Sequence, residues 1–336
     1  MTDNRLTWVD GDVLYADDLS DSILANPFLS TTYSSHTTLS RIGCIAHSST
    51  NYSMVHSTGE IMQTADSGVT WTSRSTVLDT NSFIRLCRGA TARGIGIEVG
   101  ATAQEVVVTA NSGATWTVAT SLAFGTDIYA VDWPVAGLIV VGGDDAVGTN
   151  HIVWSSDQGT TWTDATTQPT ALIRSVAMLD GTTGYAIDIN GLVWRTTNSA
   201  VTWTSTTHTV TAGGSSFPSS MYVVSATSVI MATADRLYLY NFNTGVFTLV
   251  FRLQINDNGN HGFVSLSSGA ICFGYASGVS GTLLRTTDSG TSWVLVRGRY
   301  AGATGGHYSK CELASYGDVV LAPLNLNQMV RILNPD

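Results

Sequence analysis

An eight-residue phrase ending in Trp recurs along the chain: "TADSGVTW" to Trp71, "TANSGATW" to Trp116, "SSDQGTTW" to Trp162, "TTNSAVTW" to Trp203 and "TTDSGTSW" to Trp293. The intervals between these tryptophans are 45, 46, 41 and 90 residues. Because 90 is twice 45, another copy is due near residue 248, and "NFNTGVFT" (241–248) retains Asn243 and Gly245 there but lacks the Trp. A period of this length marks a repeat architecture, whose units bury a core only against their neighbours. Within a unit, short β-rich runs are broken by Gly or polar pairs. Residues 263–296 read as strand, Ser-Gly turn, strand, Gly-rich loop, strand, phrase, strand. Four strands in one such period is the size of a propeller blade, so the predicted fold is all-β, a single β-propeller of four-stranded blades.

The ends of the chain decide the blade count. After Trp293 there is room for three further strands but no fourth. A strand from about residues 29–38 (LSTTYSSHTT) completes that last blade, closes the ring at seven and removes its open edges. Six blades with a cap is the alternative. The domain division is therefore 1–28 as an N-terminal arm and 29–336 as the propeller.

The phrase has a local physical logic. Its third residue (Asp66, Asn111, Asp157, Asn198 and Asp288 in the five Trp-bearing copies) accepts hydrogen bonds from backbone N–H groups of its own turn. A Gly two residues later supplies a positive φ without steric cost. The Trp (Trp71, Trp116, Trp162, Trp203, Trp293) opens the next strand and buries its ring between blades. Asn at two of the five sites suits a turn cap and does not suit a catalytic carboxylate. The phrase resembles the Asp box, or BNR repeat, of the pattern S/T-x-D-x-G-x-T/S-W, found in sialidase-like propellers. The resemblance implies a structural role for these ten residues.

Charged residues make up only 12% of the 336, and the net charge is −10. Such an acidic surface repels phosphate backbones, which argues against nucleic-acid partners. Lys310 is the sole lysine. Cys44, Cys87, Cys272 and Cys311 show no CxxC spacing and read as small buried apolar residues, not as metal ligands or a disulfide framework. His47, His56 and His151 lack HxH or HExxH spacing, and "NDNGN" (256–260) lacks the alternating acids of a Ca²⁺ loop. No metal and no cofactor is expected. The N-terminus lacks a basic start and an apolar run, so no signal peptide is expected, and no stretch is long enough to insert into a membrane.

Residues 1–30 carry six Asp against one Arg and stand outside the repeat. A short helix is predicted around Asp17–Leu24. The pattern set by Trp8, Asp10, Gly11, Asp12, Leu14, Ala16, Asp18 and Leu19 is similar to the opening of many tailed-phage virion proteins, tail-fibre components among them, although Ser20 stands where Asn is usual. That resemblance implies an attachment segment (Trp8, Asp10, Gly11, Asp12, Leu14, Asp18, Leu19) joining other tail, baseplate or capsid proteins. The expected location is the virion, after synthesis in the host cytoplasm.

In a propeller the repeated phrase shares one end of the ring with the first-to-second strand turns. The second-to-third loops and the blade crossings lie at the other end, the usual ligand face. The longest segments there are 204–220, 253–263 and 297–308, joined by 142–151. They supply the ligand-face candidates Asp144, Asp145, Phe217, Asp257, His261, Arg297, Arg299, Tyr300 and His307. Aromatic rings beside carboxylates suit host surface glycan, with its flat apolar faces and many hydroxyls. The favoured function is a non-enzymatic virion structural or adhesion protein, and no catalytic residue is assigned. The alternative is a glycan-cleaving enzyme, sialidase-like or another glycosidase, in which a pair among Asp144, Asp145 and Asp257 converges. The Phe-Arg-Ile-Pro opening of sialidases is missing, "FIRLC" (83–87) being the nearest string, and the chain has only four Glu. No G-x-S-x-G elbow or phosphate-cradling loop is present.

Overall fold

The computed structural model describes residues 30–32, 41–56, 60–67, 69–75, 83–88, 94–99, 106–118, 127–135, 137–144, 152–210, 220–233, 235–253, 260–277, 280–297, 313–317, 319–324 and 328–333. Among the described residues there is no helix, and the strands form seven four-stranded antiparallel sheets. Blade 1 runs through Arg41–Ala46, Tyr52–His56, Ile61–Thr64 and Thr72–Ser75. Blade 2 comprises Phe83–Arg88, Gly94–Val99, Val106–Thr109 and Thr117–Val118. Asp127–Val135, Leu138–Asp144, Ile152–Ser155 and Thr163–Asp164 make blade 3. In blade 4 they are Ile173–Met178, Gly184–Asp188, Leu192–Thr196 and Thr204–Thr209. Blade 5 is built from Ser220–Ser225, Ser228–Ala232, Arg236–Asn241 and Val246–Arg252. Asn260–Ser265, Ile271–Ser277, Ser280–Thr286 and Val294–Arg297 form blade 6.

Blade 7 is composite. Ala314–Tyr316, Val319–Leu324 and Gln328–Leu333 come from the C-terminal end, and Ser30–Thr32 is added antiparallel to the last of them. The register is Ser30 opposite Val330, Thr31 opposite Met329 and Thr32 opposite Gln328. The first strands pack in sequence from blade 1 to blade 7, and that of blade 7 packs on that of blade 1, so the ring closes. This is the closure predicted from the shortage of one strand after Trp293.

Where burial is described, the second and third strands are mostly buried because both sheet faces meet a neighbouring blade. Ile61–Thr64 and Gly184–Asp188 are buried at every position and Ser228–Ala232 at four of five for that reason. One large cluster joins Val140 and Ile152 of blade 3 to Ala186, Trp194, Ala200 and Trp203 of blade 4. Another joins Ile230 and Leu237 of blade 5 to Phe273, Leu284 and Trp293 of blade 6. Cys44 and Cys272 are buried, and burial pushes the Cys272 thiol up to about 11. Cys87 lies in the first strand of blade 2, and Cys311 lies outside the described residues. The helix expected at 17–24 also falls outside them.

Candidate functional site: the crossing end of the ring

The repeated turns occupy one end of the ring. In blade 1 the Ser67 N–H donates to Thr50 O, 2.9 Å away in the first-to-second turn of the same blade. Ser199 N–H donates likewise to Thr182 O at 3.1 Å, and Phe242 N–H to Thr227 O at 2.8 Å. Alternation of strand direction then sends the second-to-third loops and the blade crossings to the opposite, crossing end.

The three Asp-bearing turns share one hydrogen-bond plan. Asp66 Oδ1 accepts from Thr70 N–H at 2.8 Å, and Oδ2 from the Thr70 hydroxyl at 2.5 Å. Asp157 takes Thr161 N–H at 2.8 Å and its hydroxyl at 2.6 Å. Asp288 takes Ser292 N–H at 2.9 Å and its hydroxyl at 2.6 Å. These bonds, led by the side-chain hydroxyl, hold all three carboxyls at about 2, well below the usual carboxylate range. Asn111 and Asn198 keep the plan with one bond reversed. Their Oδ1 accepts from Thr115 N–H at 2.9 Å and Thr202 N–H at 3.0 Å, while Nδ2 donates to the threonine hydroxyl at 2.8 Å in both.

Beneath each cap sits the first residue of the phrase. Thr64, Thr109, Ser155, Thr196 and Thr286 are all buried, and each donates its hydroxyl proton to the capping Asp or Asn. The same oxygen accepts from Gly113 N–H at 3.0 Å, Gly159 N–H at 2.8 Å and Gly290 N–H at 3.0 Å. Sequence reasoning gave this hydroxyl no role, although it is Ser or Thr in all five Trp-bearing copies. A positive φ is also adopted one residue earlier than expected, by Ser67, Ser112, Gln158, Ser199 and Ser289, before the glycines at φ 80°, 85° and 87°. Ala200 takes the glycine's place at φ 66°, with its methyl buried.

The worn copy in blade 5 differs. The cap is Asn241, whose Oδ1 accepts from Asn243 N–H at 3.0 Å and Thr244 N–H at 3.2 Å. The retained Asn243 is thus a donor, because the turn closes earlier and Gly245 N–H bonds Asn241 O at 2.9 Å. Where the Trp is missing, Phe247 stacks on Tyr240 at 4.5 Å between ring centroids, and the Arg195 guanidinium of blade 4 lies 4.5 Å over Phe242. His208 of blade 4 fills the space under Gly245.

At the crossing end, Asp144 closes the second strand of blade 3 and stands directly opposite Asp127, which opens its first strand. His261 lies in the first strand of blade 6 opposite Tyr275, and Arg297 ends the fourth strand opposite Leu283. Asp145, Phe217, Asp257, Arg299, Tyr300 and His307 lie outside the described residues, as do Trp8, Asp10, Gly11, Asp12, Leu14, Asp18 and Leu19. The structure adds Tyr129 and Arg174, early in the first strands of blades 3 and 4, with the guanidinium 4.7 Å over the ring. Arg174 Nε is buried without a hydrogen-bond partner. Asp127, Tyr129 and Arg174 were missed because nothing in a strand-like run singles them out; their position just after a blade crossing is the signal. Asp188, at the same end, is buried and committed: it accepts from Asn190 N–H, Leu192 N–H and Trp194 Nε1 at 2.9, 3.0 and 3.1 Å. No group of three or more His, Cys, Asp or Glu among the described residues is placed to hold a metal.

The fold defines the class: a seven-bladed β-propeller. Its solved neighbours include YCF48 bound to D1 peptide, at 15% identity and TM-score 0.63 over 92% of this chain and 95% of that one. Streptogramin B lyase follows at 11% identity and TM-score 0.66, covering 91% and 97%. The GH74 xyloglucanase from Xanthomonas campestris matches at 14% identity and TM-score 0.63 over 90% of this chain, which spans only 53% of that enzyme. At these identities the likeness is one of fold, and the fold serves unlike activities. No protein-family model matches the chain, and no curated protein does.

Proposed function

We propose that the protein is a non-enzymatic adhesion component of a tailed-phage virion. Residues 1–28 join it to the particle, and the crossing end of the ring binds host surface glycan. The observation that carries the binding half is the commitment of the repeated carboxylates. Each is engaged by its own turn, and Asn replaces two of them without loss of the hydrogen-bond plan. The repeat is then an Asp box in the architectural sense. What remains for recognition is the crossing end, where the Arg174 guanidinium lies over the Tyr129 ring and the register sets Asp127 opposite Asp144, residue types suited to a polyhydroxylated ligand. The virion half is supported by the resemblance of residues 8–19 to phage structural proteins.

The test has two arms. Intact protein on an array of bacterial surface glycans should bind a defined subset, and Arg174→Ala should cut that binding about tenfold or more, the loss of one well-placed polar contact. A featureless array overturns the adhesion reading. Deleting residues 1–28 should leave protein that no longer copurifies with particles; retained assembly overturns the attachment reading.

A second reading, glycan cleavage, is favoured by one feature. Asp127 and Asp144 are cross-strand partners, so the register sets two acids opposite each other at the crossing end. A pair of acids is what glycoside hydrolysis requires. Turnover of polysaccharide by the purified protein, lost in Asp144→Asn, would establish it.

A further inference from the structure

Among the described residues no further strand pairs with the outermost strand of a blade, and natural proteins guard such edges by shortness, charge or polarity. The guards here can be read strand by strand. Thr117–Val118 and Thr163–Asp164 have two residues each, and Ser30–Thr32 has three. Thr72–Ser75 (TSRS) and Thr204–Thr209 (TSTTHT) are polar, and Val294–Arg297 is four residues long. Val246–Arg252 of blade 5 is the longest of these edges, with seven residues reading VFTLVFR. It holds no acid and no Pro, and Val246 and Leu249 stand 53% and 38% exposed. A register shift beside Tyr238 bends the strand near Val250, leaving Val246–Leu249 in regular register with Tyr238–Asn241.

We propose that this edge pairs antiparallel with the same strand of a second copy of the chain, about a two-fold axis through Thr248. The register follows from symmetry. A two-fold axis normal to the sheet preserves its faces, and directly opposed residues share a face, so the axis must pass through a residue and not between two. Centred on Thr248, Phe247 faces the partner's Leu249, while the two Thr248 residues face each other. Apolar pairs and Thr–Thr pairs are the favourable cross-strand combinations. The strand's sole charge is Arg252, and antiparallel pairing sends the two copies to opposite ends. At about 3.4 Å per residue they lie roughly 27 Å apart, well past the screening length of about 8 Å at physiological salt. The edge therefore meets its own copy without opposing like charges, which a strand bearing a central charge would not do.

The test is sedimentation velocity on the intact protein at about 0.15 M salt, the ionic strength of that screening length. The expected species at high concentration has twice the 35.5 kDa mass of the chain. Thr248→Lys places two ammonium groups face to face on the axis and should raise the dissociation constant at least tenfold. Thr248→Glu should do the same alone, and mixing the two variants should restore a dimer. Thr207→Lys, an equally exposed change on the outer strand of blade 4, should leave the mass unchanged. A monomer at all concentrations overturns the proposal. So does an oligomer that Thr248→Lys affects no more than Thr207→Lys, or a failure of the mixture to recover the dimer.

Discussion

Thr286 shows how much a single buried hydroxyl does in this fold. It donates to Asp288 at 2.7 Å and accepts from Gly290 N–H at 3.0 Å, so it joins the cap to the turn it caps. Thr286→Val keeps the shape but strands a backbone N–H, and should cost about 1–3 kcal/mol, read as a fall in the denaturation midpoint. Gly290 carries a second constraint, since a Cβ there would lie 2.6 Å from Ile230 Cδ1 of blade 5 at φ 87°. Gly290→Ala should therefore destabilise by about 2–4 kcal/mol, combining left-handed strain with overpacking. The capping carboxyls titrate in a defined window. Their folded pKa of about 2 lies below the ordinary 3.8, so their stabilisation is complete above about pH 4. It is lost as pH falls from there through 2. Acid denaturation followed by tryptophan fluorescence should show the loss in that range.

At the scale of the element, the repeated turn and its Trp act as a wedge against the preceding blade. Trp116 shares a core cluster with Ile45 and Ile61 of blade 1, Trp203 with Val140 and Ile152 of blade 3, and Trp293 with Ile230 and Leu237 of blade 5. Trp203 and Trp293 also donate Nε1–H to the carbonyls of Ala200 and Gly290, each at 3.1 Å. Trp203 is fully buried, so Trp203→Ala should cost about 3–5 kcal/mol in equilibrium unfolding. The wedge was legible in the sequence because Trp, Gly and a capping residue recur at constant spacing. The worn blade 5 was legible only as a position. Its replacement chemistry, with Phe247 on Tyr240 and Arg195 over Phe242, uses residues that follow no repeat. The shift of its cap from Asn243 to Asn241 depends on where the turn closes, which spacing alone does not state.

For the whole molecule, closure rests on three residues from the start of the chain, Ser30–Thr32, laid against its end. That arrangement could be inferred by counting strands, because a ring has no tolerance for a missing one. The candidate site was less legible. Topology assigns loops to the crossing end, and Asp144 was found there, but its partner Asp127 and the Tyr129–Arg174 pair come together only through register and blade packing. On the proposed function the ring has an architectural end, marked by the repeated carboxylates, and a recognition end opposite. The most direct test is the thermal midpoint at pH 7 of the triple variant Asp66→Asn, Asp157→Asn, Asp288→Asn, set beside the triple Ala variant. Because Asn111 and Asn198 already serve as caps, the Asn variant should unfold within a few degrees of the native chain and the Ala variant far lower. An Asn variant as unstable as the Ala variant would contradict the account, since the carboxylate charge would then matter in a way the capping geometry does not explain.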